Sequence, residues 1–161
     1  MNLFSENWHV SPYLAEVRVQ YRSKVADHSR PQLCSPEDAY RYLREIWNMD
    51  VIEIQEEFYV LLLNNSRKCL GWTKISMGGK TSTIVDPPQI IAIALLTNAS
   101  SIIISHNHPS GKLKPSTADI NLTKRIGQAL KIMGLRLDDH IIITRDDYYS
   151  LNNEGQLRSL F

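Results

Sequence analysis

The spacing of hydrophobic and polar residues changes several times along the chain, and each change predicts an element. From Leu14 to Tyr21, apolar Leu14, Val17, Val19 and Tyr21 mostly alternate with Glu16, Arg18 and Gln20, the two-residue period of a half-buried strand. Residues 22–34 lose that period. At Ser35-Pro36-Glu37-Asp38 a capping side chain, a proline suited to the first helical position and two acids come together, and Ala39, Leu43, Ile46 and Trp47 then share one face. This predicts a helix over 36–48. Phe58-Tyr59-Val60-Leu61-Leu62-Leu63 is a continuous apolar run ending at Asn64-Asn65, and Leu70 to Met77 follows as a second strand, so the two read as a hairpin.

Gly78-Gly79 breaks the pattern, and Asp86-Pro87 opens a helix whose Ile90, Ile91, Ala94 and Leu95 are expected to pack inward against the sheet. Ser101 to Ser105 is a short isoleucine-rich strand that delivers the chain to His106. The segment from Ser116 to Met133 reads as a helix, with Ile120, Ile126, Leu130 and Met133 apolar and Gly134 as its stop. Leu135 to Leu137 and His140 to Thr144 read as further strand, and the residues past Asn152 as a loose end. Strands interleaved with helices predict an α/β chain of mixed α+β type.

With 161 residues the chain suits one domain with a real core and is too short for two ordinary ones. The expected organisation is an N-terminal extension over 1–50, a strand plus a helix packing on the domain, followed by the main domain over 51–161. A formal net charge of +1 supplies no global field to draw the protein onto nucleic acid or anionic lipid. A local basic patch of Lys112, Lys114, Lys124, Arg125 and Lys131 reads as an ordinary solvated helix surface. Cys34 and Cys69 lack the close spacing of a redox or zinc motif, and two free thiols in a reducing compartment are expected, with one disulfide as the lesser alternative. No signal peptide is evident at the N-terminus, and the apolar run from Ile90 to Leu96 is far too short to span a bilayer. A soluble cytoplasmic protein with no membrane partner is the expectation.

The chemistry concentrates between His106 and Asp119. Residues i and i+2 of an extended chain point to the same side, so His106 and His108 can face one ion at about 2.0 to 2.1 Å. Pro109-Ser110-Gly111 turns the chain, and a helix starting at Pro115-Ser116 can swing Asp119 back over the histidines. Two imidazoles and one carboxylate are the ligand number and type of a catalytic zinc site with an open fourth position. Two plainer readings stand beside this one: Ser116-Thr117-Ala118-Asp119 fits a helix-capping box, and His106-Asn107-His108 fits a polar turn. The three consecutive letters do not fit HNH nucleases, whose residues are dispersed over a longer unit.

His106-x-His108, seven residues, Ser116, two residues and Asp119 is similar to the JAMM motif of the MPN/JAB metalloprotease superfamily. His106-Asn107-His108-Pro109-Ser110-Gly111 and Asp139-His140-Ile141-Ile142 resemble its RadC branch, over about Glu56 to Ser150. The resemblance implies a single MPN/JAB-like domain, a central mixed sheet flanked by helices, with one Zn2+ held by His106, His108 and Asp119 at a strand end and a helix start. It implies an upstream glutamate as general acid/base, Glu56 with Glu57 as the fallback, and Ser116 as donor to a developing oxyanion. Only one of those glutamates can face the ion, because neighbouring strand residues face opposite sides.

The activity implied is hydrolysis of a peptide or isopeptide bond in a peptide or protein substrate. Two further readings are a DNA-associated accessory protein, since RadC-like proteins carry a DNA-repair label, and an inert MPN scaffold, against which stands the presence of every motif position. Standalone domains of this type also resemble proteins from bacterial mobile elements. His140, beside Asp139, is read either as a rim or core histidine or as a residue orienting a ligand, and specificity is assigned to loops such as Gly78 to Val85.

Overall fold

The hairpin forms where the apolar runs predict it. In the computed structural model, which describes residues 21–77 and 85–161, β1 (Glu57–Leu63) pairs antiparallel with β2 (Cys69–Met77). Asn64 makes the turn, its side-chain oxygen accepting from the amides of Ser66 and Lys68. β1 also pairs antiparallel with β3 (Ser101–Asn107), which pairs parallel with β4 (Arg136–Ile143), and β4 closes antiparallel on β5 (Tyr148–Ser150). The result is one five-stranded mixed sheet in the order β2-β1-β3-β4-β5.

Three helices flank it: α1 (Pro36–Ile46), α2 (Pro87–Leu96) and α3 (Thr117–Ile132). The continuous apolar runs follow from two-sided burial of the central strands. Phe58, Val60 and Leu62 join Ile102 and Ile104 under α2 and α3, with Ile90, Ala94, Ile126 and Leu130 from those helices. Tyr59, Leu61 and Leu63 join Ile103, Ile141 and Ile143 on the other face, under Ala39, Leu43 and Trp47 of the α1 segment. Fully burying a side chain of this size contributes roughly 1.5 to 3 kcal/mol, which offsets the ordering of the helices that cover the sheet. Helix α1 begins with the predicted cap: Ser35 accepts from the Asp38 amide, Asp38 accepts from the Ser35 amide, and Pro36 occupies the first turn.

Four expectations change. Leu95 is 45% exposed, because the inward face of α2 steps from Ile90 to Ala94 and the next residue turns away by a further 100° or so. Met133 is 47% exposed at the end of α3, where Gly134 takes a positive φ of 72° and turns the chain back to the sheet. Residues 136–143 form a single strand through Asp138 and Asp139, because both acids find partners: Asp138 accepts from the Ser101 hydroxyl at 2.6 Å, and Asp139 from Ser150 at 2.6 Å. The end past Asn152 is ordered, since Leu157 is 4% exposed in the core and the Phe161 ring lies where a side chain on Gly127 would stand. The strand expected at Leu14 to Tyr21 lies outside the described residues apart from Tyr21, as does the Gly78 to Val85 loop apart from Val85. Among the described residues no helix is long and apolar enough to cross a membrane.

Asp139 gives the fold a pH dependence. Burial raises its carboxyl from 3.8 to about 6, outweighing the hydrogen bonds from Ser150, Asn152 and His140 that act to lower it. The folded state then holds this proton more tightly than the unfolded chain, so the group's stabilising contribution is full below 3.8 and is lost as pH rises through about 6. Asp139→Asn cannot titrate. Chemical denaturation at a series of pH values is expected to show wild type losing roughly 3 kcal/mol relative to this variant across that window. A difference that stays flat, or grows with pH, contradicts the assignment.

Candidate metal centre

The site is built from the two-residue period of β3. His106 stands opposite Phe58 in the β1–β3 register, and the two rings lie nearly parallel with centroids 6.2 Å apart, so His106 belongs to the α3 side of the sheet. Asn107 faces the other way. His108 follows at the strand end, where its amide donates to the Ile143 carbonyl and the Pro109-Ser110-Gly111 turn closes back on its own carbonyl. Gly111 has a φ of 74°, a conformation that favours glycine.

Asp119 reaches this point from the first turn of α3, and it acts as cap and as site residue together. Its Oδ2 accepts from the Ser116 amide and hydroxyl, each at 2.7 Å, while its own amide donates to Ser116 Oγ. Its Oδ1 faces His106 Nε2 at 3.2 Å, and Oδ2 lies 3.5 Å from His108 Nε2. Burial acts to raise the Asp119 carboxyl, but the His106 and His108 rings that face it and the Ser116 hydroxyl outweigh burial and hold the pKa well below the usual carboxylate range. The capping box and the convergent His106–His108–Asp119 group are thus one structure, not alternatives.

Among the described residues His106, His108 and Asp119 are the group whose ligand atoms converge, all within 4.8 Å of one another. The two Nε2 atoms are 2.9 Å apart. Ligand atoms held by one tetrahedral zinc at bonds of about 2.0 to 2.1 Å stand roughly 3.3 Å from each other; here each nitrogen stands near that distance from its own oxygen of the Asp119 carboxylate, His106 Nε2 from Oδ1 and His108 Nε2 from Oδ2. His108 Nδ1 faces the Lys112 carbonyl, which can only accept, so Nδ1 carries the proton and Nε2 is the bare nitrogen. Two nitrogens and one carboxylate, brought together from a strand and a helix, are a donor set that fits a divalent metal ion.

Glu57 is 2% exposed on the α1 side, bound to Lys74 Nζ at 2.6 Å and to the Tyr59 hydroxyl at 3.1 Å. Glu56 lies near His108. That imidazole's pKa is raised first by the Asp119 carboxylate beside it, against burial, with the Glu56 charge contributing in the same direction. Ser116 has one proton, and it lies on Asp119 Oδ2, so an oxyanion-donating role requires the hydroxyl to turn away from Asp119.

Asp139 does not pair with the His140 ring. Its carboxylate accepts from Ser150, Asn152 and the His140 backbone amide on the opposite side of β4. The His140 ring, fully buried, instead touches His106 and Thr123, and burial holds its pKa well below the usual histidine value. Lys112, Lys114, Lys124, Arg125 and Lys131 are all exposed.

A family model described as RadC-like JAB domain matches residues 33–156. The chain belongs to this family. The RadC-like chain is 41% identical over 125 residues to a UPF0758 protein of Flavobacterium johnsoniae, covering 77% of this chain and 53% of that protein. It is 46% identical over 104 residues to a UPF0758 protein of Porphyromonas gingivalis, covering 64% and 46% respectively. A UPF0758 protein of Rubrobacter xylanophilus is 35% identical over 146 residues, covering 89% of this chain and 62% of its own length. The RadC-like chain therefore spans about half the length of the first two.

Asn107 is the residue that pattern reading missed. Wholly buried between the two histidines, it accepts from the Glu57 amide at 2.7 Å and donates to the carbonyls of Ile52 and Gln55 at 2.6 and 2.8 Å. The peptide groups on both sides of Glu56 are thereby tied to the strand that carries His106 and His108. A polar residue between two same-facing strand residues was the available signal, since it must point into the other layer. Asn107→Leu leaves one amide and two carbonyls without this partner and is expected to destabilise the domain by roughly 3 kcal/mol in urea titration. A loss below about 1 kcal/mol shows that other contacts hold the 52–57 segment.

Proposed function

We propose that this RadC-like domain is a zinc-dependent hydrolase of the JAMM type that cleaves a peptide or isopeptide bond. The observation that carries the reading is the convergence of His106 Nε2, His108 Nε2 and the Asp119 carboxylate, whose ligand atoms all lie within 4.8 Å of one another. His106, His108 and Asp119 would hold the metal. Zinc held there would supply Lewis acidity and make the attacking water easier to deprotonate. Glu56 takes the proton of the attacking water and returns it to the leaving amine, acting as general base and then general acid. Ser116 steadies Asp119 through the cap, and it donates to the oxyanion once its hydroxyl turns. Asn107 keeps Glu56 in register with the histidines. The substrate is a peptide or protein.

Zinc analysis of the purified protein is expected to give about one ion per chain, lost in His106→Ala and Asp119→Ala while circular dichroism stays unchanged. Folded wild-type protein that takes up no zinc overturns the proposal. With a peptide and isopeptide library as substrate, Glu56→Gln is expected to retain zinc and lose about 100- to 10,000-fold in rate, whereas Glu57→Gln keeps the rate. The reverse pattern assigns proton transfer to Glu57.

A further inference from the structure

One hydrogen-bonded chain links two of the three ligands without passing through the metal position. It starts at the Asp119 backbone carbonyl, which accepts from the Thr123 hydroxyl at 2.6 Å. A carbonyl has no proton to give, so the single Thr123 proton is spent there. Thr123 Oγ1 also lies 2.6 Å from His140 Nδ1, and with its proton committed it can only accept. His140 Nδ1 therefore carries that ring's proton, which leaves His140 Nε2 bare. His140 Nε2 stands 2.8 Å from His106 Nδ1, so His106 must donate there and keeps its proton on Nδ1. The remaining nitrogen, His106 Nε2, is bare and faces Asp119 Oδ1.

We propose that Thr123 and His140 are positioning residues that hold His106 as its Nδ1–H tautomer, so that the lone pair of Nε2 is presented to the metal. This rests on the reading of His106 as a ligand. The arrangement is closed to water: Thr123, His140 and His106 are 0%, 0% and 2% exposed. Burial removes solvent as an alternative partner, and each donor and acceptor then depends on the next. His108 obtains the same tautomer from the Lys112 carbonyl, so two independent backbone carbonyls set the two imidazoles alike. Partners of this kind fix ring orientation and ligand basicity, and their removal typically costs about 10- to 100-fold in metal affinity.

Zinc affinity of the full chain is to be measured by competition with a chromophoric chelator for wild type, Thr123→Val and Thr123→Ser. The expected result is binding weaker by about 10- to 100-fold in Thr123→Val, which lacks the hydroxyl, and recovered in Thr123→Ser, which restores it. Equal affinity in wild type and Thr123→Val, with both folded, overturns the proposal. So does a loss that serine fails to recover. Should Thr123→Val not fold, the long-range proton–nitrogen spectrum of wild type decides the matter directly. His140 and zinc-loaded His106 are both expected as Nδ1–H, and His140 as Nε2–H refutes the relay. Wild type that takes up no zinc defeats the hydrolase reading instead, while the His140 tautomer in that metal-free protein still tests the chain from Asp119.

Discussion

The alternation of side chains along β3 is the constraint on which the rest depends. This strand is hydrogen-bonded on both sides, to β1 and β4, and covered on both faces, so its side chains have no freedom to choose a layer. His106 enters the α3 layer and meets Asp119 and His140, while Asn107 enters the α1 layer and ties down the segment before β1. A slip of one residue in register would exchange the two layers and leave an amide where the imidazole belongs. The same burial that makes the isoleucines of β3 a core makes the strand end a rigid platform.

Economy of partners is the second feature of the centre. Asp119 ends the unsatisfied first turn of α3 through Oδ2 and leaves Oδ1 for the histidine, so the oxygen that caps and the oxygen closest to His106 are different atoms. Its backbone carbonyl, one turn before Thr123, opens the hydrogen-bonded chain to the other ring. A helix start is the natural place for such a residue, because the cap fixes the carboxylate without help from the metal. Membership of the RadC-like JAB domain family accords with this architecture.

Much of the fold was legible. Ser35-Pro36 and Ser116 announced helix starts through chemistry that needs only neighbours in sequence, and the apolar runs of β1 and β3 announced strands. What misled was local: Asp138-Asp139 reads as a break, yet both acids are satisfied by Ser101 and Ser150, residues brought there by the sheet. The end past Asn152 reads as loose because Leu157 and Phe161 look isolated until Leu151 and Gly127 stand beside them. For the centre, His106, His108 and Asp119 were readable as a set from spacing, whereas Glu56 and Glu57 were not separable, because the facing of a strand's first residue is set by its pairing.

By itself the sequence determined the element order, the caps and the candidate ligand set, since each follows from periodicity or from residues within a few positions of one another. Tertiary structure alone decided which face each element turns to the core. It put Glu57 beside Lys74 and Glu56 near His108, gave Asn107 its three backbone partners, and joined His140 to His106 and Thr123 rather than to Asp139. The physical reason is that a hydrogen bond between residues 17 to 55 positions apart carries no local spacing for a pattern to record. Such bonds exist only once β3 has been paired on both sides and sealed from water.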